Sequence, residues 1–189
     1  MTAEPERAPS TPLPAGQVFV SYSHRDEAWK DAVVRYLGVL QVQGKLAVWE
    51  DRQLAAGDDW RGGIEAALAL ASVGLLLVSQ NSLTSEFILR SEVPELLRRR
   101  ASQGLHLIPV ILRPCAWREV DWLAAIKAFP RDGVPLSTLD EAQVDTALAL
   151  LARDVHRLIS RAADGTSGSG TPTPVPHLQG IDNAAALFT

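Results

Sequence analysis

Val73-Gly74-Leu75-Leu76-Leu77-Val78 (VGLLLV) runs directly into the polar stretch Ser79-Gln80-Asn81-Ser82. Six positions without a polar side chain predict a strand, Val73–Ser79, buried on both faces. A strand with one wet face would alternate polar and apolar residues instead. Strands of this kind belong to parallel sheets covered by helices on both sides. Beyond the turn comes Ser85-Glu86-Phe87-Ile88-Leu89-Arg90-Ser91-Glu92-Val93-Pro94, with a carboxylate just ahead of a proline. Pro94 lacks an N–H, and its ring clashes with the carbonyl four residues back, so it suits a first helical turn or a kink. The pattern predicts a helix over Pro94–Ala101 with Glu92 at its mouth. There the helix dipole and free amides favour an anion.

Outward from this segment, short apolar runs alternate with helical periodicities. Gln17–Ser21 (QVFVS), Leu46–Trp49 (LAVW) and His106–Leu112 (HLIPVIL) read as further strands, and Val134–Ser137 as a brief last one. Asp26–Leu40 places Trp29, Val33, Tyr36, Leu37 and Leu40 at helical spacing. Trp60–Ala71 carries Ile64, Leu68 and Ala71; a short helix is expected at Trp122–Ala128. Asp140–Arg161 presents Val144, Leu148, Leu151, Val155 and Leu158 along one face. The expected architecture is α/β: a flavodoxin-like, doubly wound parallel sheet of about five strands with helices on both faces. Ligands in such sheets bind beyond the strands' carboxyl ends, where Ser21, Trp49 and Ser79 fall. The domain is expected over residues 17–162. Residues 1–16, acidic and proline-rich, read as a disordered leader, and residues 163–189 as a Gly/Ser/Pro-rich linker and tail.

Composition narrows the function. The 189 residues carry a formal net charge of −4, which disfavours nucleic-acid binding through the phosphate backbone. The cationic run Arg98-Arg99-Arg100 reads as a solvated helix face. A single cysteine, Cys115, excludes an internal disulfide and fits a reducing compartment. His24, His106, His156 and His177 lack metal-ligand spacing, so no metal is expected. No apolar run approaches the ~18 residues of a membrane span, and the N-terminus lacks the apolar core of a signal peptide. A cytoplasmic location without a membrane partner follows as an expectation. Ser79 and Ser82 lack a surrounding GxSxG, and neither GxxxxGK[ST] nor GxGxxG is present, which disfavours a serine hydrolase, a nucleotide triphosphatase or a dehydrogenase. A phosphorylated receiver domain would need acidic residues where the first strand ends in SYSH.

Several strings, taken in order, resemble the Toll/interleukin-1 receptor (TIR) family in its bacterial form. Val18-Phe19-Val20-Ser21-Tyr22-Ser23 with His24-Arg25-Asp26-Glu27 is similar to the family's first box. Val48-Trp49-Glu50-Asp51-Arg52-Gln53-Leu54, then Gly57 and Trp60, resembles the second strand and the loop after it. Leu76–Ser79, Ser82, Ser85, Phe87 and Glu92 match the third strand and the glutamate region, and Ile108-Pro109-Val110-Ile111 the fourth strand. The resemblance spans roughly residues 17–160 and implies the same five-stranded flavodoxin-like fold. It also implies one of two functions. Some members cleave the nicotinamide–ribose bond of NAD; others are non-enzymatic scaffolds that mediate protein–protein interaction. In the enzymes one glutamate near the third helix is catalytic, and Glu92 holds that position here. The chain departs from many members in having Phe87-Ile88 and then Pro94 around it.

The resemblance makes NAD a substrate, with no separate cofactor, and the 50–59 loop a surface for TIR–TIR self-association in defence or signalling. Bond chemistry makes a lone carboxylate sufficient, because nicotinamide leaves a pyridinium as a neutral molecule and needs no general acid, unlike an ordinary glycoside. The other reading of Glu92 is a helix-terminus charge worth about 0.3–1 kcal/mol. Ser21 and Tyr22 are candidate substrate contacts or strand-terminating hydrogen-bonders. Arg25 is a phosphate contact or the partner of a nearby carboxylate. Trp49 stacks on a base or packs in the core, and Asp51 bonds ribose hydroxyls or anchors its loop. Phe87 is a further substrate contact by resemblance. Glu86 and Glu95 read as surface or capping carboxylates.

Overall fold

The computed structural model describes residues 16–50 and 60–165. The leader, the 51–59 part of the expected association loop and the segment from 166 onward lie outside the described residues. Four parallel strands form one sheet in the order β2-β1-β3-β4. They are β1 (Gln17–Ser21), β2 (Ala47–Trp49), β3 (Ala71–Val78) and β4 (His106–Ile111). Because β2 and β3 lie on opposite sides of β1, the winding reverses there. That reversal opens a crevice at the carboxyl ends of β1 and β3.

Both sheet faces are covered, as the unbroken apolar runs require. On one, Val18 and Val20 of β1 and Val73, Leu75 and Leu77 of β3 pack with α1 (Glu27–Val42) and α6 (Glu141–Gly165). Alternate positions, Phe19, Leu76 and Val78, pack on the other with α2 (Trp60–Leu70) and α4 (Val93–Ser102). Gly74 is a point of close approach: a β-carbon there would stand 2.8 Å from Leu96 Cδ2. Two one-turn helices follow, α3 (Gln80–Leu83) packed directly after β3 and α5 (Asp121–Ala124) beyond β4. The latter is shorter than the expected Trp122–Ala128.

The fifth strand is not formed as expected. Leu136–Thr138 is a single 3-10 turn, and the position beside β4 is taken by Phe129 alone. Its N–H donates to Pro109 O and its carbonyl accepts from Ile111 N–H, both at 2.7 Å. The chain then turns away, Gly133 N–H bonding Pro130 O at 2.9 Å, so the ladder stops after one bridge. Farther up, Ser137 N–H bonds Leu112 O at 2.9 Å, closing the edge without a strand.

The helix carrying Glu92 also differs from expectation. The backbone is helical from residue 86, and Ile88–Glu92 form a π turn in which Val93 N–H reaches back to Ile88 O. Ser85 caps the start through Leu89 N–H to its carbonyl at 3.0 Å and Ile88 N–H to its hydroxyl at 3.4 Å. Pro94 is therefore accommodated by a wide turn inside a continuous helix. In a regular α-helix its missing N–H would leave a carbonyl unpaired. Glu92 lies well inside that helix, so the free amides of a helix mouth do not hold its charge.

Candidate functional site

The period of two along β1 determines what meets Glu92. Ser21 follows Phe19 by two residues and so faces α4, on the side where Glu92 projects. Its hydroxyl donates to Glu92 Oε2 at 2.5 Å. Ser21 is 1% exposed and Glu92 6%, so the pair sits in a low-dielectric setting at the crevice edge. The bond fixes one carboxylate oxygen and with it the direction of the side chain. A carboxylate so fixed presents a preorganised negative field to any positive charge developing beside it.

A second buried carboxylate, Asp26, organises the same edge and is absent from the sequence-derived site. It closes the 3-10 turn His24–Asp26 just after β1 and is 1% exposed. Ser79 Oγ donates to its Oδ2 at 2.5 Å, and Asn81 Nδ2 to its Oδ1 at 3.2 Å. Arg113 Nε, after β4, lies 3.4 Å from Oδ1. Ser79 also caps α3 in a reciprocal box with Ser82, its oxygen accepting from the N–H groups of Asn81 and Ser82. The ends of β1, β3 and β4 thus converge on one carboxylate. In the sequence Asp26 stood only as the start of a helix beside Arg25, and the polar run after VGLLLV read as a turn.

The remaining candidates disperse. Tyr22 turns to the α1/α6 face, 7% exposed, away from Glu92. It meets His24 edge to face at 5.5 Å, and Lys30 Nζ stands 5.3 Å from its ring centre. Trp49 stacks on Phe19, its register partner, at 5.1 Å and 11°, which uses one ring face for the core. Arg25 is exposed on the His24–Asp26 turn. Phe87 lines a cleft of about 800 Å³ against α2 with Ile64, Leu68, Arg90, Pro94 and Arg98. Asp51 lies outside the described residues. Glu86 pairs with Arg90 at 2.9 Å, and Glu95 with Arg98 at 2.6 Å, a partner that holds the Glu95 carboxyl below its ordinary value. Both are surface pairs.

Two polar groups missed in the sequence are structural. Arg99, expected on a solvated face, is buried and donates to Ala69 O at 2.7 Å, tying α4 to the end of α2. Lys30 is 0% exposed and paired with Glu50 at 2.5 Å and Asp31 at 2.7 Å. Burial lowers its pKa, but the two carboxylates outweigh that and leave the ammonium above its ordinary value. Burial chiefly raises the Cys115 thiol, which makes it a poor nucleophile.

Comparison with known proteins supplies the family. Residues 18–148 match the model of the TIR domain. A curated relative, the uncharacterized protein y4lF of Sinorhizobium fredii, is 33% identical over 169 residues, 87% of this chain. The chain spans about half of that relative's length, 52%. Among solved structures, the TIR domain of the Toll-related receptor TRR-2 from Hydra magnipapillata superposes with a TM-score of 0.52 at 15% identity. It covers 76% of this chain and 97% of its own. A prokaryotic SEFIR domain gives a TM-score of 0.46 at 18% identity, over 86% of this chain and 99% of its own. Among the described residues no helix is long and apolar enough to cross a membrane. The family match covers most of the chain and both buried carboxylates, and the parallel sheet agrees with it: the chain belongs to the TIR domain family.

Proposed function

We propose that this TIR domain is an NAD glycohydrolase, cleaving the nicotinamide–ribose bond with Glu92 as the catalytic carboxylate. The observation that carries the reading is the buried Ser21–Glu92 pair at the carboxyl edge of β1. As nicotinamide departs, positive charge develops on the ribose. A fixed anion beside it lowers the barrier and orients the sugar through its hydroxyls. Ser21 acts as a positioning residue by holding one carboxylate oxygen. Water then bonds to the ribosyl carbon and gives up a proton, so that ADP-ribose, neutral nicotinamide and H⁺ are the products. Arg25 and Asp51 remain candidate substrate contacts. Tyr22, Trp49 and Phe87 pack on the α1/α6 face, on Phe19 and along the α2 cleft, and no substrate contact is assigned to them. Self-association through the 50–59 loop would raise activity by completing the crevice, in bacterial defence or signalling.

The test is free nicotinamide released from NAD by the purified chain and by Glu92→Ala. A folded variant whose release falls by at least about 100-fold supports the reading, a typical cost of removing one preorganised electrostatic group. Equal turnover by both sinks it. No release by the unsubstituted chain under any condition of crowding would leave a scaffold role.

A further inference from the structure

We propose that Arg113 forms a diphosphate-binding subsite of the crevice, preorganised by the buried Asp26. The proposal rests on the glycohydrolase reading only in naming NAD as the source of the diphosphate. Arg113 follows β4 directly, so the parallel sheet places it on the same carboxyl edge as Ser21. Its side chain is 52% exposed although it stands against a carboxylate that is 0% exposed.

The way it meets Asp26 distinguishes a ligand-binding arginine from a neutralising one. A guanidinium that serves only to neutralise a carboxylate favours the two-point fork, with both oxygens engaged. Here Oδ2 accepts from Ser79, Oδ1 also accepts from Asn81, and Arg113 approaches Oδ1 through Nε. Both carboxylate oxygens are thus already served by neutral donors, and the half-exposed guanidinium stands at an ion-pair distance of 3.4 Å, with donor capacity left for a ligand anion. A guanidinium carries five N–H donors in a planar fork that matches phosphate oxygens. Ser79 and Asn81 hold Asp26, and Asp26 holds Arg113, so little side-chain entropy is lost on binding. Arg25, exposed on the turn that ends in Asp26, supplies a second cation on this edge.

Calorimetric titration of the whole chain with ADP-ribose and with adenosine tests the subsite without turnover. Arg113→Gln should weaken ADP-ribose at least about tenfold, the effect of losing one charge-assisted contact, and leave adenosine unchanged. Arg113→Lys keeps a charge beside Asp26 but loses the fork, and should fall between the two. Unchanged ADP-ribose affinity in both variants, an equal loss for adenosine, or no ADP-ribose binding by the unsubstituted chain would overturn the proposal. Binding through Arg113 without nicotinamide release would refute the glycohydrolase reading and keep the subsite. Release with the same KM for NAD in Arg113→Gln would do the reverse.

Discussion

Ser21 and Glu92 lie 71 positions apart in sequence and share a buried 2.5 Å hydrogen bond. A bond of this kind to an ionised group is worth about 1.5–3 kcal/mol, and its removal leaves a buried carboxylate short of a donor. Ser21→Ala should therefore lower the melting temperature on the order of 5 °C. Nicotinamide release should fall roughly tenfold, by the same energy applied to the barrier. Calorimetry and the release assay read the two effects separately. A variant with both values unchanged would show that Ser21 does not orient Glu92.

Gly74 should resist substitution for a reason confined to one neighbour. A β-carbon at 2.8 Å from Leu96 Cδ2 overpacks the α4 face, at a cost of about 1–3 kcal/mol. Gly74→Ala should unfold at lower urea. In a Leu96→Val background, which lacks that methyl, the same change should cost less, and a double-mutant cycle measures the coupling. Additive costs would place the strain elsewhere.

Lys30 should make the domain sensitive to alkali. Its folded pKa lies above the ordinary 10.5, so the ion pairs with Glu50 and Asp31 stabilise fully below that value. The contribution is lost as pH rises through the raised folded pKa. Tyr36, hydrogen-bonded to Asp145, is also raised and acts in the same direction. The comparison therefore belongs in a Tyr36→Phe background. There, Lys30→Met should be less stable at neutral pH and lose less as pH climbs past 10.5 in urea-unfolding series. Parallel pH profiles for the two chains would count against the ion pairs.

Activation by self-association carries a kinetic signature. If assembly completes the crevice, nicotinamide release should rise faster than linearly with protein concentration and approach linearity once the chain is assembled. Sedimentation at the same concentrations should show the oligomer growing in step. Strictly proportional release across a wide range would remove assembly from the mechanism.

The fold was readable to the extent that local patterns carry it. Gln17–Ser21 was expected and is β1, and VGLLLV predicted the core of β3 because an unbroken apolar run has no other stable home. Helices α1, α2 and α6 followed from periodicity. The fifth strand failed because a brief apolar segment does not show which residue will sit beside β4. Phe129 took that place, and the turn from Pro130 to Gly133 carried the chain away after one bridge. The π turn was hidden because Pro94 reads equally as a helix start or as a kink, and only the path from Ser85 chose.

For the site, sequence alone determined the parallel sheet and the edge on which polar residues gather, and it singled out Glu92 as a candidate. Only the tertiary structure decided its partners. It joined Glu92 to Ser21, turned Tyr22 to the opposite face, and drew Ser79, Asn81 and Arg113 onto Asp26. The reason is physical. Hydrophobic periodicity is local and survives in the sequence, whereas a buried hydrogen bond depends on register, face and helix phase together. A one-residue shift in any of these sends the side chain elsewhere.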